Sequence, residues 1–179
     1  MTALSLLMLL ALSPVQTVPA FTQDEVRQAV ACADRSSDRC APPQDRAATI
    51  DCLAMAESAG VDAVDQCLAG IMDRCVGRWE ATTSEMNTRV IVICAAQSRA
   101  ALREAADDWL ERADGVVPEA ALSQYRGLRT TVPSRADQDV MGRSAAGINE
   151  AAARTGVWTS FVLFLWREQW RYPDLVASL

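Results

Sequence analysis

Apolar residues recur every three or four positions over most of the chain, and strict alternation never continues for more than a few residues. A spacing of three and four places apolar side chains on one face of an α-helix, whereas alternation is typical of a half-buried strand. The pattern therefore predicts an all-α protein, a small helical bundle.

Breaks in this pattern divide most of the chain into five predicted helices. Proline or glycine stands at most of the breaks, because proline cannot continue a helix and glycine is favoured just beyond a helix end. The helices are expected at about residues 22–33, 45–58, 61–78, 82–113 and 148–171.

Two further segments carry specific expectations. The sequence TTSE at residues 82–85 matches a capping box, in which a Thr and a Glu three residues later cap each other's amides, and it predicts the start of the fourth helix. Residues 119–147 are polar and less periodic. We expect a short helix around Tyr125 followed by a loop, with Pro133 as an interruption.

The last predicted helix contains VWTSFVLFLW, residues 157–166, which is apolar around its whole circumference. Twelve uncharged residues separate Arg154 from Arg167, too few to span a bilayer. We favour a buried core helix. The alternative is an exposed aromatic patch that docks a partner or a membrane surface, built on Trp158, Phe161, Trp166 and Trp170.

The first twenty residues contain no charge and hold an apolar run of about ten residues, followed by Pro14 and the sequence VPA. A short apolar core before small residues is typical of a secretory signal peptide, so we expect residues 1–20 to be one, cleaved after Ala20. Residues 21–179 are short for two domains and are predicted to form a single helical, disulfide-containing domain, periplasmic or secreted.

Composition narrows the function classes. The net charge is −6, every one of the 17 basic residues is arginine, and no basic cluster stands out, so we expect no nucleic acid partner. The chain has no histidine, which is the usual base of serine and cysteine nucleophiles and the usual ligand of catalytic zinc. We therefore predict a non-enzymatic protein without metal or cofactor, and acidic pairs such as Asp107–Asp108 as solvated surface.

The cysteines carry the most specific chemistry. Their spacings of 8, 12, 15, 8 and 19 residues contain neither the close pairs of a zinc site nor the C-x-x-C of a thioredoxin-like redox pair. An even number of cysteines in an exported chain indicates structural disulfides. The predicted disulfide residues are Cys32, Cys40, Cys52, Cys67, Cys75 and Cys94.

The pairing is predicted from helix hairpins, in which facing residues are equidistant from the turn. Cys52 and Cys67 lie symmetrically about a turn at residues 59–60, and two other cysteines nearly so. The scheme that we favour has the bridges Cys52–Cys67, Cys40–Cys75 and Cys32–Cys94. The alternative pairs Cys67 with Cys94, which are symmetric about a break at residues 80–81.

Three sequence features occur in order: CLAGIMDRC, ATTSEM and a further cysteine. Together they resemble the cysteine framework of the LprI-type lysozyme-inhibitor family. The matching residues are Cys67, Leu68, Cys75, Thr82, Thr83 and Met86. Downstream, LREAADDWLERADG is similar to that family's alanine- and arginine-rich helix around a tryptophan, with matches at Leu102, Arg103, Trp109, Arg112 and Asp114. The resemblance covers about residues 65–115. It departs from the family at Arg89, where a cysteine is expected and the nearest thiol is Cys94.

The resemblance implies a small exported helical protein that binds and inhibits lysozyme or another peptidoglycan hydrolase. We therefore expect an exported, non-enzymatic binding protein with such an enzyme as its partner. The alternative is an envelope structural or accessory subunit that docks through the apolar C-terminal helix, with membrane contact but no membrane span.

Overall fold

The computed structural model of the protein describes residues 19–34, 41–83, 88–141 and 148–177, and every regular element within these ranges is helical. The all-α prediction is therefore confirmed. Most of the predicted signal peptide, residues 1–18, lies outside the described ranges.

The helices follow one another with short connections. In chain order they are α1 (Gln23–Asp34), α2 (Pro43–Ala54), α3 (Ala56–Ala59), α4 (Val61–Thr83), α5 (Thr88–Ala113), α6 (Glu119–Met141), α7 (Ile148–Glu168), a 3-10 turn (Gln169–Arg171) and α8 (Pro173–Val176).

Proline and glycine set several helix ends as expected. Pro43 is the first residue of α2, a position where the missing N–H of proline costs no hydrogen bond. Gly60, with φ +82°, separates α3 from α4, and Gly115, with φ +77°, follows α5. Both glycines adopt a left-handed conformation that other residues rarely enter. The predicted helix 45–58 is divided by a turn at Met55.

Helix α5 is the centre of the bundle and contacts α1, α2, α4, α6 and α7. Its buried face is largely alanine, which lets neighbouring helices approach closely. Trp109 fills the space left by these small residues: its side chain is fully buried and meets Tyr125 of α6 edge-on, with ring centroids 5.6 Å apart.

The apolar core has two parts. The larger cluster joins α2, α4, α5, α6, α7 and α8, and its fully buried members include Leu53, Val64, Leu122, Val162, Leu165 and Leu175. The smaller cluster packs α1 against the C-terminal half of α4 and the N-terminal half of α5. It contains Phe21, Ala29, Cys75, Trp79, Val90, Ile93 and Cys94.

The prediction for residues 119–147 is wrong over residues 119–141, and residues 142–147 lie outside the described ranges. Instead of a short helix and a loop, α6 runs from Glu119 to Met141 and continues through Pro133. A proline inside a helix costs about 3 kcal/mol or more. Packing offsets that cost, because buried Leu122, Tyr125 and Val132 hold α6 against the larger cluster.

Helix α7 is a core helix, as we favoured from the sequence. Trp158, Phe161 and Trp166 are buried, so the alternative of an exposed patch built on these rings is wrong for these three residues. Phe164 and Trp170 are the exceptions, with 37% and 45% of their surfaces exposed. Among the described residues, no helix is both long enough and apolar enough to cross a membrane.

Candidate functional site

The disulfide framework fixes the geometry of α4. Cys52 of α2 is bonded to Cys67 near the start of α4, with Cα atoms 5.6 Å apart, which confirms the first predicted bridge. Cys75, two turns further along α4, is bonded to Cys94 of α5, with Cα atoms 5.8 Å apart. Helix α4 is therefore tied covalently to α2 and to α5.

The Cys75–Cys94 bridge corrects the other predicted pairs. Cys40–Cys75, Cys32–Cys94 and the alternative Cys67–Cys94 are all wrong, because each of them uses a cysteine that is bonded elsewhere. Neither Cys32 nor Cys40 has a side chain within the described part of the chain. The source of the error is the predicted end of α4.

That helix does not end near residue 80 but continues to Thr83, and α5 begins at Thr88. Cys75 lies eight residues before the end of α4, and Cys94 lies six residues after the start of α5. The symmetry rule for hairpins therefore holds for this pair as well, once the turn is placed after residue 83.

The capping-box interpretation is also wrong for Thr82, which lies inside α4. Its hydroxyl donates to the backbone carbonyl of Arg78, 2.7 Å away, one turn earlier in the same helix. The same oxygen accepts the backbone N–H of Phe21 at 2.8 Å. Ser84 and Glu85, the rest of the predicted box, are outside the described residues. Thr82 thus anchors the chain that precedes α1.

Phe21 and its neighbours form a polar and aromatic clasp between α1 and α4. The Phe21 ring is buried against Trp79, with centroids 5.2 Å apart, and the Arg78 guanidinium lies 4.0 Å from its centroid. Arg78 also pairs with Glu25 at 2.7 Å. The backbone N–H of Thr22 and this guanidinium stabilise the Glu25 carboxylate, which lowers its pKa from the usual 4.5 to about 2.

Other ion pairs hold the bundle together. Asp107, predicted as solvated surface, accepts two hydrogen bonds from Arg129 of α6, at 2.8 and 3.2 Å. Glu104 of α5 is buried; it accepts the backbone N–H of Ala41 at 2.9 Å and lies 3.7 Å from Arg46. These carboxylates have structural partners, which leaves the exposed acidic residues as the candidates for an interface.

Four exposed carboxylates lie along one side of α4: Asp62, Asp65, Asp73 and Glu80. Their spacings of 3, 8 and 7 residues keep them near one line on a helix of 3.6 residues per turn. None of them pairs with a basic side chain in the part of the chain that the structure describes. We call these four residues the acidic row.

A cavity of about 310 Å³ opens beside the acidic row, between α2, α4, α5 and α7. Its apolar wall consists of Leu68, Ile71 and Met72 from α4 and Ile91, Ala95 and Leu102 from α5. The polar residues of its described lining are Thr49, Asp65, Ser98, Thr155 and Thr159. We call this space the α4–α7 cavity. Among the described residues, no group of three or more metal-ligating side chains comes together.

The residues that carry the resemblance to lysozyme inhibitors lie in different parts of the structure. Cys67, Cys75 and Thr82 stabilise α4 through bridges and the clasp, and Leu102 and Trp109 lie in the core. Two of the polar matches lie at the end of α5 or just beyond it: Arg112 Nε donates to the backbone carbonyl of Asp108 at 3.3 Å, and Asp114 lies 3.5 Å from Arg126.

Comparison of the chain with family models, with curated proteins and with solved structures finds no match in any of the three. The LprI-type assignment therefore remains a prediction based on the residues that carry the resemblance. The geometry of α4 is the second, independent basis for a function.

Proposed function

We propose that this chain is an exported, non-catalytic binding protein whose partner is a basic peptidoglycan hydrolase of the lysozyme class. The acidic row on α4 is the surface that it presents to that enzyme. The observation that carries this proposal is the set of four exposed carboxylates, Asp62, Asp65, Asp73 and Glu80, without a basic partner among the described residues.

The acidic row is long enough to form part of a protein–protein interface. From its first to its last residue it covers roughly 27 Å of helix axis, at about 1.5 Å per residue. The chain as a whole has a net charge of −6. An uncompensated row of one sign on an acidic protein attracts a basic partner at long range, which raises the association rate and orients the encounter.

The covalent framework supports the same surface. The bridges Cys52–Cys67 and Cys75–Cys94 tie α4 to α2 and to α5. A rigid helix loses little conformational entropy when it docks, so its charges are already arranged for binding. The residues that resemble LprI-type inhibitors, from Cys67 to Thr82, lie on this same helix.

Two disulfide bonds indicate an oxidising environment outside the cytoplasm. We propose that the chain arrives there through cleavage after Ala20. The mature chain would then begin at Phe21, whose buried ring and hydrogen bond to Thr82 hold the new terminus on α4. N-terminal sequencing of the exported protein should begin at Phe21, and a mature protein that retains residues 1–20 would exclude this route.

A lysozyme inhibition assay with charge variants tests the interface. The purified wild-type protein should reduce the lytic activity of lysozyme at micromolar concentration. The double variant D65N/D73N removes two charges from the acidic row, and we expect it to be at least about tenfold weaker as an inhibitor, a loss of about 1.4 kcal/mol.

A second double variant, D24N/D174N, is the matched control. It removes the same net charge from exposed positions on α1 and α8, so it should inhibit nearly as well as the wild type. Lytic activity that is unchanged by micromolar wild-type protein would exclude the proposal. Equal losses in both variants would place the interface elsewhere than the acidic row.

The alternative is an envelope subunit that docks through α7. Its aromatic docking surface is smaller than the sequence suggested. Among the described side chains of α7 and the turn after it, Phe164 and Trp170 are the exposed large apolar residues, with 37% and 45% of their surfaces exposed. Burial of Trp158, Phe161 and Trp166 places the remainder of that aromatic surface in the core. The acidic row is therefore the better supported interface.

A further inference from the structure

We propose that the α4–α7 cavity is a binding site for a small hydrophobic molecule whose polar end donates hydrogen bonds, of which an alkylammonium is the simplest example. This proposal does not depend on the lysozyme partner, because the cavity is formed within a single chain. Its basis is the size of the cavity, the openness of one wall and the chemistry of the lining.

The size and position are those of a ligand site rather than of a packing defect. A volume of about 310 Å³ is at the lower end of the range of small-molecule pockets, which often lie between the helices of bundles. Voids in ordinary cores rarely exceed the size of a water molecule. The apolar wall formed by Leu68, Ile71 and Met72 would be covered by a bound hydrocarbon body.

Gly156 of α7 keeps one wall of the cavity open. A Cβ atom added at this position would meet no atom within 4 Å, so close packing does not explain why the residue is glycine. A glycine inside a helix lowers helix stability relative to alanine. Since Gly156 is exposed and lines the cavity, a larger side chain there would extend into open space at the cavity wall.

Two hydroxyls of the described lining already donate their hydrogens within the protein. The hydroxyl of Thr49 already donates to the backbone carbonyl of Asp45 at 2.7 Å, and that of Thr159 donates to the carbonyl of Thr155 at 3.1 Å. Their oxygens therefore remain available as acceptors. The carboxylate of Asp65 is the charged group of the described lining, and no arginine is among those residues.

This lining selects against anions. A carboxylate ligand would meet the acceptor oxygens of Thr49 and Thr159 and the negative charge of Asp65, and no basic side chain of the described lining would pair with it. A ligand with an ammonium or hydroxyl end is favoured instead, because that end can donate hydrogen bonds to the same oxygens. The chemistry therefore favours hydrophobic amines first, alcohols second, and fatty acids last.

Three probes with the same alkyl chain test this order. Decylammonium, decanol and decanoate are titrated into the wild-type protein by calorimetry. The two ionic probes are kept below their micelle concentrations, and decanol, which forms no micelles, is kept below its solubility limit. We expect saturable binding of decylammonium at one site, and binding of decanoate that is at least about tenfold weaker. Decanoate that binds as tightly as decylammonium would overturn the assigned ligand class, and the absence of decylammonium binding at ~1 mM would overturn the site.

Two glycine variants locate the binding. G156L adds a side chain at the cavity wall, and we expect it to weaken decylammonium binding at least about tenfold. G127L is the matched control, since Gly127 lies in α6, away from the cavity, and also has open space around its Cβ position. Equal affinities of G156L and wild type would overturn the location. The comparison of probes on the wild type decides the ligand class even if G156L fails to fold.

Discussion

At the scale of single residues, Arg78 has the largest number of roles in the described part of the clasp. Its guanidinium lies over the Phe21 ring and pairs with Glu25, and in the uncleaved chain its Nε also donates to the carbonyl of Pro19 at 3.1 Å. A guanidinium can do all of this at once because it is planar and carries five donors. The clasp thereby fixes the chain before α1 onto α4 without a covalent bond.

The clasp makes stability depend on pH through Glu25. The folded-state pKa of about 2 is below the ordinary value of 4.5. The ionised carboxylate therefore stabilises the folded protein at pH above 4.5, and this contribution is lost as the pH falls from 4.5 to 2. Urea unfolding should show E25Q to be less stable than wild type at pH 7, with the difference shrinking to little near pH 2.

Substitution of an exposed carboxylate that has no described partner supplies the control for this comparison. D174N changes a surface position on α8, so it removes a carboxylate without touching the clasp. A difference between E25Q and wild type that stays constant from pH 7 to pH 2 would show that the Glu25 carboxylate does not carry the effect.

Tyr125 is a residue whose partners no sequence pattern indicated. Burial raises the pKa of its hydroxyl, and hydrogen bonds with Tyr172 and Glu168 act in the same direction. The hydroxyl donates to Glu168 at 2.8 Å, which joins α6 to the end of α7. The sequence placed a short helix around Tyr125 but gave no sign of this contact, because it joins residues 43 positions apart.

At the scale of elements, the α4–α5 hairpin shows what the sequence could and could not predict. The buried positions of both helices follow from the apolar spacing. The Cys52–Cys67 bridge, which joins α4 to the preceding α2, follows from the symmetry of the turn at residues 59–60. The Cys75–Cys94 bridge required the correct end of α4. A helix end is hard to place here because Thr82 bonds back into its own helix, although the same residue types also begin helices.

Disulfide mapping and a paired substitution test the hairpin. Peptide mapping under non-reducing conditions should recover the linked peptides Cys52–Cys67 and Cys75–Cys94. The variant C75S/C94S should lose about 2–4 kcal/mol of unfolding free energy, because the bridge restricts the unfolded chain. A Cys40–Cys75 peptide, or a variant as stable as wild type, would contradict the described framework.

Helix α6 illustrates how packing overrides a local signal. Pro133 and the polar composition of residues 119–147 both argued against a long helix there. The structure continues the helix to Met141, because the buried face of α6 packs against α7 and the larger apolar cluster. Local propensity decides such a segment only when no neighbouring surface is available, and the neighbour is not visible in the sequence.

At the scale of the whole molecule, the acidic row and the α4–α7 cavity differ in how far the sequence could predict them. The acidic row could have been found from spacing alone, had α4 been extended beyond residue 78 to include Glu80. The α4–α7 cavity could not, because its walls come from four helices whose packing depends on tertiary contacts. The two features share Asp65, so one face of the bundle combines negative charge with an apolar opening.

The claim that the acidic row binds a basic hydrolase is tested most directly by calorimetric titration of lysozyme into the wild-type protein at about 50 mM and about 200 mM salt. Charged interfaces weaken as salt screens them. We expect a one-to-one complex whose Kd rises at least about tenfold at the higher salt concentration. The absence of binding, or a Kd that does not change with salt, would contradict the account.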